Sequence, residues 1–474
     1  MKKKTFYAVA FALALACGTL SGCSNSQVNQ TLPTYDADGT IIRSAWWCPD
    51  PTSENYDIYK ECGLNTLMLV NHNFRLDADA MVKDPVQHTK EGCYYIGTPN
   101  GFEGQTMTDK ALAIAKEKGL DVILAEGSNY FAWVGEDVNV YKDFTYDYSK
   151  YKDVIVGVFS GDEPSAEQIP ELAQSIPDVE DAFPDVPYFA NLFPAYADSA
   201  TALKSPSYSE YLKTYAKEFV DKTSQPRLMS VDVYPFIGGN YSLWLYNYEL
   251  FTQKALEYDT DTHMFIQSAV SSDGSHRLLN DKEILVQVNT ALAYGADAYS
   301  YFLYTPAGEG YPEGLVDQHM KPAAMYYHAQ QANKQTACVE QAYQHYDYVN
   351  TIPVTGKEED YNTGAFIYYR SMNITGEISE SEVLTDAKAN NRALIALLRD
   401  KDGNEAFYVT NYFDSEDGEI DEDCTISLTF DGMKKVALYG SADCLNSEIK
   451  DIKKGTLECT LAPGDGILIV PFVK

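Results

Sequence analysis

The fold is decided by the stretch V-I-V-G-V-F-S-G-D-E-P-S at residues 154–165. Its first six residues carry no charge, which is typical of a strand that is covered on both faces in a parallel sheet. Asp162 and Glu163 follow almost directly, and Pro164 ends the run. Ligands of parallel sheets and barrels lie at the carboxyl ends of the strands. We therefore expect a buried strand that delivers two adjacent carboxylates to an active face.

Outward from this stretch, strand-like runs alternate with helix-like runs. Eight such strands over about 280 residues predict an α/β fold, the (β/α)8 TIM barrel. A doubly wound open sheet is the alternative, disfavoured because no Gly-rich phosphate turn follows any strand. The predicted strands comprise residues 41–47, 66–70, 121–125, 154–159, 188–192, 228–233, 264–267 and 298–304.

The periodicity changes near Tyr361. From there, short alternating runs are separated by Gly and Asp turns, which predicts an antiparallel β-sandwich. We therefore assign residues 39–345 to the barrel and residues 360–474 to a C-terminal β-sandwich domain.

The amino terminus has the pattern of a secretory signal at residues 1–23. Three lysines precede an apolar run, and L-S-G-C follows at residues 20–23. This tetrapeptide resembles the lipobox of bacterial lipoproteins, which implies cleavage before Cys23 and a lipid on its thiol. An ordinary secretory signal that ends near a cysteine is the alternative. The polar residues 24–38 then form a tether, and the protein is expected outside the cytoplasm, lipid-anchored to a bacterial membrane at the periplasm or cell surface.

The amino-acid composition limits the classes of ligand that the protein can bind. The formal net charge is −33, from 36 basic and 69 acidic residues, and this excludes nucleic acid because phosphate binding needs clustered Lys and Arg. A neutral substrate fits better. No Cys or His spacing typical of zinc sites occurs, and no redox cofactor motif, so neither a metal nor another cofactor is expected.

The residues that follow the strands share one chemical character. Aromatic faces, amides and carboxylates suit a neutral polyhydroxylated ligand, because sugar C–H faces pack on rings and hydroxyls need donors and acceptors. None of these positions is basic. The sequence therefore predicts an oligo- or polysaccharide partner. Besides Asp162 and Glu163, the candidates are Trp46, Asn71, His72, Glu126, Asn191, Asp232, Tyr234, Gln267, Tyr301 and Tyr304.

Four motifs support a family resemblance. They are G-D-E-P at 161–164, N-L-F-P at 191–194, D-V-Y-P-F at 232–236, and Y-F-L-Y-T-P at 301–306 leading into G-L-V-D at 314–317. Over residues 40–474 the chain resembles the barrel glycoside hydrolases, in particular secreted bacterial proteins with D-E-P after the fourth strand and an attached β-sandwich. In the large retaining group of such barrels, the acid/base Glu follows the fourth strand, usually after Asn, and a nucleophile Glu ends the seventh.

The resemblance implies that Glu163 is the acid, with Asp162 replacing the Asn. Gln267 stands where the nucleophile would be, and an amide cannot form a glycosyl ester. Two hypotheses remain for the group that acts together with Glu163. Asp162 and Glu163 resemble the pair of substrate-assisted hexosaminidases, in which Asp162 orients the acetamido group of the substrate. In the other reading, Asp232 or Glu126 is the partner carboxylate. A glycan-binding lipoprotein without turnover is the alternative function.

Overall fold

Eight parallel strands form one sheet in the larger part of the chain. The computed structural model describes residues 30–35, 39–70, 107–125, 148–224, 226–238, 240–356, 376–412, 422–440 and 447–473. The strands are β1 (Ile42–Ala45), β2 (Thr66–Met68), β3 (Asp121–Leu124), β4 (Ile155–Asp162), β5 (Tyr188–Leu192), β6 (Leu228–Asp232), β7 (Asp261–Gln267) and β8 (Ala298–Phe302). Their order is β1-β8-β7-β6-β5-β4-β3-β2. The predicted (β/α)8 barrel is confirmed.

Hydrogen bonds between the segments of β1 and β2 close the barrel. The backbone N–H of Asn65 donates to the carbonyl oxygen of Arg43 at 3.0 Å, and that of Cys48 donates to Val70 at 3.1 Å. The Asn65 side chain adds a second bond by accepting from the Arg43 N–H at 2.8 Å. The two outer strands of the sheet are thereby joined, as closure of a barrel requires.

Helices connect the strands. In the described residues they are α1 (Ser53–Glu61), α2 (Met107–Lys118), α3 (Ile169–Leu172), α4 (Ile176–Ala182), α5 (Tyr208–Glu218), α6 (Trp244–Glu257), α7 (Asp281–Ala293) and α8 (Ala324–Tyr343). None of them is both long and apolar enough to cross a bilayer. A capping box starts α7, in which Asn280 and Glu283 satisfy each other's backbone N–H groups. Each helix that follows a strand begins at the carboxyl end of the barrel, called the mouth below.

Aromatic rings fill the barrel interior below the mouth. Phe159 of β4 packs edge-on against Trp46 at 5.4 Å and against Phe189 of β5 at 5.7 Å, measured between ring centroids. Phe265 of β7 contacts the other side of Trp46 at 5.8 Å. All four side chains are buried. This layer forms a solid floor, so a ligand of the barrel has to bind above it.

Two antiparallel sheets follow the barrel. Their strands are β9 (Asp347–Thr355), β10 (Leu384–Ala389), β11 (Arg392–Arg399), β12 (Glu405–Asn411), β13 (Cys424–Phe430), β14 (Lys435–Tyr439), β15 (Glu448–Asp451), β16 (Thr456–Leu461) and β17 (Gly466–Phe472). One sheet has the order β15-β14-β17-β12-β11-β9 and the other β10-β13-β16. A separate apolar core lies between them. The predicted sandwich is confirmed, and β9, which precedes residue 360, already pairs with β11.

The sandwich lies against α7. Asn289, in the middle of α7, accepts from the Tyr408 hydroxyl at 2.6 Å and donates to the Gly464 carbonyl oxygen at 2.6 Å. Gly464 also bonds Asn411 at the end of β12 and touches the first turns of α7, near the mouth. Strand β12 therefore runs opposite to α7. Its first residue, Glu405, lies at the end of the sandwich remote from the mouth.

The amino-terminal segment docks at this remote end. The side-chain amide of Gln30 donates to the carbonyl oxygens of Glu405 at 2.6 Å and Pro471 at 2.7 Å, and its Oε1 accepts from the Glu405 N–H at 2.9 Å. Gln30 is buried. Tyr35 reaches Tyr346 through their hydroxyls at 3.3 Å. Residues 30–35 of the predicted tether thus lie against the folded domains.

Candidate active site at the barrel mouth

Three carboxylates from two strands meet at the mouth. Asp162 is the last residue of β4, Glu163 follows it, and Asp232 ends β6. Between these strands, Asn191 of β5 donates from its side-chain amide to Asp162 Oδ1 at 3.1 Å. Parallel strands end at one edge, so residues that lie 70 positions apart in sequence converge. The structure therefore brings together Asp162, Glu163, Asn191 and Asp232, which the sequence placed at strand ends.

The backbone of Glu163 adopts a left-handed conformation, with φ of 48°. Residues other than glycine rarely adopt such angles, and the conformation costs free energy. A hydrogen bond from the Glu163 N–H to the Asn191 carbonyl oxygen, at 2.9 Å, holds it. The Glu163 side chain on this turn is half-buried. Backbone strain of this kind clusters at functional sites.

The three carboxyl groups differ in acidity. Burial raises the pKa of Glu163 well above its usual range, and the charges of Asp232 and Asp162 raise it further. Burial, followed by the charge of Asp162, also raises the pKa of Asp232 well above its usual range. Asp162 is exposed to the mouth, yet the protein around it partly desolvates it and raises its pKa to about 6, against the opposing hydrogen bond from Asn191. Burial thus favours the protonated form of each group, and a pKa of about 6 leaves Asp162 largely ionised at neutral pH.

An aromatic wall, formed by Tyr234, His276, Phe302 and Tyr311, stands beside the carboxylates. Tyr234 lies 5.3 Å from Phe302, and Tyr311 lies 5.4 Å from both Phe302 and His276, between ring centroids. Tyr234, Phe302 and Tyr311 are partly exposed, whereas His276 is buried. The charge of Glu163 contributes to the raised pKa of Tyr311, so the wall is close to the acid. Such a surface suits the C–H face of a sugar.

Tyr196, which sequence reasoning did not identify, orients part of this wall. Its hydroxyl oxygen accepts a hydrogen bond from the backbone N–H of Tyr234 at 2.9 Å. Burial, and then the charge of Asp232, raise the pKa of Tyr196 well above its usual range. The phenol is therefore neutral at physiological pH and remains available as a proton donor next to the carboxylates.

Three predicted binding residues do not reach the mouth. Tyr301 points outward and donates to Asn333 of α8 at 2.9 Å. Tyr304 packs on Tyr59 of α1, with 4.8 Å between ring centroids. Both lie behind the barrel wall rather than in its mouth, and for Tyr301 this follows from the alternation of side chains along β8. Trp46 belongs to the buried floor described above.

Gln267 also has a supporting position. It is completely buried, and its Oε1 accepts from the backbone N–H of Phe236 at 2.9 Å. The side chain thereby supports the turn that follows Asp232 and carries Tyr234. Asn71, His72 and Glu126, together with Cys23, lie outside the described residues. Among the described residues, no group of three His, Cys, Asp or Glu side chains is arranged to hold a metal ion.

Comparisons with known proteins find structural likeness at low identity. No family model matches the sequence, and a search of curated proteins gives no match. A putative α-L-fucosidase from Bacteroides thetaiotaomicron is 12% identical, with a TM-score of 0.43, covering 66% of this chain and 99% of its own. A GH30 endoxylanase from Clostridium papyrosolvens is 10% identical, with a TM-score of 0.43, covering 92% and 97%. An α-L-arabinofuranosidase from Thermotoga maritima is 12% identical, with a TM-score of 0.43, covering 92% of both chains.

Proposed function

We propose that this chain is a glycoside hydrolase for neutral or N-acetylated glycans, with Glu163 as the general acid. The observation that carries the proposal is the contrast between Glu163 and Asp162 at the mouth. Burial raises the pKa of Glu163 well above its usual range, whereas the adjacent Asp162 is exposed and has a pKa of about 6. Pairs of carboxyl groups whose environments separate their pKa values are typical of acid/base sites. The aromatic wall beside them suits a sugar ring.

Asp162 is the best candidate for the second catalytic group. Burial and the charge of Asp162 raise the pKa of Asp232 well above its usual range, which disfavours the charged form that a nucleophile or base needs. Asp162 is ionised above about pH 6 and accessible from the mouth. A carboxylate in this state can accept a hydrogen bond from the N–H of an acetamido group. We therefore favour the substrate-assisted reading and an N-acetylated sugar.

The proposed substrate-assisted hydrolysis needs no cofactor. Glu163 transfers its proton to the glycosidic oxygen, and the bond from that oxygen to the anomeric carbon breaks. The acetamido oxygen of the substrate forms a new bond to the anomeric carbon, while Asp162 accepts the hydrogen bond of the acetamido N–H. Water then opens this cyclic intermediate and gives a proton back to Glu163, which acts as the base in the second step. Configuration is retained.

Hydrolysis of a panel of aryl glycosides tests the proposal. The purified chain without residues 1–23 is incubated with nitrophenyl N-acetyl-β-hexosaminides and with plain β-galactosides, and nitrophenol is measured. Release from the N-acetyl sugars alone supports the pair of Asp162 and Glu163. Release from plain glycosides instead assigns the partner role to Asp232 or Glu126. The configuration of the first product then distinguishes retention from inversion.

Glycan binding without turnover is the rival function, and Gln267 is the residue that favours it. The seventh strand ends in Gln267 rather than in a carboxylate, and an amide cannot act as the nucleophile of the two-Glu mechanism. In that case Glu163→Gln leaves glycan affinity nearly intact, and neither the parent nor the variant hydrolyses any member of the panel. Calorimetric titration with N-acetylated oligosaccharides measures the affinity of both proteins.

We further propose that the protein works outside the cytoplasm, attached to a membrane through lipid on Cys23. The L-S-G-C sequence at residues 20–23 supports this. Labelling with a radioactive fatty acid tests it directly, because the label is expected in the parent and not in a Cys23→Ala variant. Equal labelling of both would contradict the assignment of Cys23.

A further inference from the structure

A line of polar side chains, called the interior chain below, runs through the barrel beneath Asp162. Asn191 Oδ1 lies 2.9 Å from Ser230 Oγ, which lies 2.9 Å from His263 Nδ1. His263 Nε2 lies 2.7 Å from Ser300 Oγ, and Ser300 also bonds Ser44. With the bond from Asn191 to Asp162, six residues on six strands are connected. All members except Asp162 are buried. They are Ser44, Ser300, His263, Ser230, Asn191 and Asp162.

The donors and acceptors of this chain can be assigned by counting protons from the mouth. An ionised Asp162 only accepts, so Asn191 has to present its N–H to it and its Oδ1 to Ser230. A serine hydroxyl has one proton, and Ser230 gives it to Asn191. Ser230 Oγ must therefore accept from its other neighbour. The proton in that bond belongs to Nδ1 of His263.

The second nitrogen of His263 completes the assignment. The ring lies between Phe265 at 5.0 Å and Phe189 at 5.9 Å, without a charged neighbour in contact among the described residues. Burial lowers the pKa of His263 to about 3, so the imidazole is neutral at physiological pH. With its proton on Nδ1, Nε2 accepts from the Ser300 hydroxyl. Ser300 has then used its proton and accepts from Ser44.

We propose that His263 is a positioning residue of the barrel mouth, and that its Nδ1–H tautomer fixes the direction of every hydrogen bond from Ser44 to Asp162. The opposite tautomer would take the Ser230 proton, and Asn191 Oδ1 would lose its donor. The amide would then be free to turn its oxygen toward Asp162, where two acceptors repel each other. The interior chain thus holds Asn191 in the orientation that stabilises an ionised Asp162. The contribution of the interior chain to catalysis rests on the proposed function, whereas the assignment of the His263 tautomer does not.

The tautomer is measured by nitrogen NMR of the protein labelled with 15N-histidine. A His263→Asn variant identifies the signal, because the protein has seven histidines. We expect the neutral Nδ1–H form, with no titration between about pH 5 and about pH 8, the range in which an exposed histidine changes its charge. An Nε2–H form, or titration of His263 in this range, would overturn the proposal.

The effect on Asp162 is measured by carbon NMR of its carboxyl group, identified through an Asp162→Asn variant. Asp162 faces Glu163 beside it and Asp232 and Tyr234 from β6 and its turn, and these groups stay the same in all variants. Ser230→Ala removes the donor to Asn191 Oδ1 and should raise the pKa of Asp162 by about one unit, which is a tenfold change in its acid constant. Ser230→Thr keeps a hydroxyl at this position and should leave the pKa of Asp162 near its parental value.

Ser160→Ala is the matched control. Its buried hydroxyl lies on β4 and donates to the Phe189 carbonyl oxygen at 3.0 Å, outside the interior chain. This variant should leave the Asp162 titration unchanged. An unchanged titration in Ser230→Ala would overturn the proposal, as would equal shifts in Ser230→Ala and Ser160→Ala. Should Ser230→Ala not fold, the tautomer of His263 in the parent protein still decides the proposal. Neither measurement depends on hydrolysis, so a failure of the proposed function is recognised separately.

Discussion

Asn191 binds Glu163 through its backbone and Asp162 through its side chain. Its carbonyl oxygen accepts from the Glu163 N–H at 2.9 Å, and its side-chain amide donates to Asp162 Oδ1 at 3.1 Å. One residue of β5 therefore fixes the strained turn that aims the acid and favours the charged form of its neighbour. Groups held in this way are positioned before a substrate binds, which reduces the cost of reaching the transition state.

Asn191→Leu tests the second of these bonds. The hydrogen bond stabilises the ionised form of Asp162, so its loss should raise the pKa of Asp162 above about 6. A smaller fraction of Asp162 is then ionised at each acidic pH, and the acidic limb of the kcat/KM profile should move to higher pH. The pH dependence of nitrophenyl glycoside hydrolysis measures this limb. An acidic limb at the same pH in parent and variant would contradict a role for ionised Asp162.

The aromatic wall should contribute to substrate affinity rather than to proton transfer. Tyr311→Ala removes a partly exposed ring that lies 5.4 Å from Phe302. Ring contacts of this kind contribute about 0.5 to 1.5 kcal/mol, so we expect KM to rise about three- to tenfold. The pH profile should stay the same. Steady-state kinetics with the best aryl glycoside of the panel measures both, and an unchanged KM would remove Tyr311 from the binding surface.

Tyr301→Phe should lower the stability of the protein and leave its kinetic constants unchanged. The Tyr301 hydroxyl donates to Asn333 behind the barrel wall, so its removal should lower the free energy of unfolding by about 1 kcal/mol. KM and kcat should match those of the parent, because the side chain does not face the mouth. Chemical denaturation measures the first quantity and steady-state kinetics the second. A rise in KM with unchanged stability would place Tyr301 in the site after all.

The carboxylates of the site follow from the sequence because they end strands. Asp162, Glu163 and Asp232 are each preceded by an uncharged run, and the barrel brings such ends together. The aromatic wall was harder to predict from the sequence. In β8, Ser300 and Phe302 face inward, and alternation then turns Tyr301 outward. The run Y-S-Y-F at residues 299–302 contains no charged residue that marks its inward face, so the sequence does not show that Tyr301 points outward.

Other parts of the site arise from contacts that no local pattern indicates. His276 and Tyr311 come from loops after β7 and β8 and meet at 5.4 Å. Gln267 follows the seventh strand as expected, but its position is decided by the Phe236 N–H, which is 31 residues away. The interior chain likewise connects Ser44 to Asp162 through six strands. Serine and histidine within otherwise apolar strands were the only sequence signal for it.

The docking of Gln30 predicts the orientation of a lipid-anchored protein. Six residues lie between Cys23 and Gln30, so the two residues are at most about 25 Å apart when this segment is extended. Gln30 lies at the end of the sandwich remote from the mouth, so the mouth should face away from the membrane. The orientation is measured by energy transfer to acceptor lipids from a fluorescent amino acid. This amino acid is placed at Asp402 or at Glu309, which lies in the loop after β8. Asp402 should transfer more strongly, because it lies in the turn next to Glu405, and stronger transfer from Glu309 would contradict the orientation.

Turnover by Glu163→Gln tests the central claim most directly. The measurement compares kcat on the N-acetyl aryl glycoside for the parent, for Glu163→Gln and for Glu167→Gln. The last is a control, since Glu167 is an exposed carboxylate that pairs with Lys204 at 2.8 Å. We predict a loss of about 100-fold or more for Glu163→Gln, the usual contribution of a positioned acid, and parental turnover for Glu167→Gln. Equal, nonzero hydrolysis by the parent and Glu163→Gln would contradict the assignment of Glu163 as the acid.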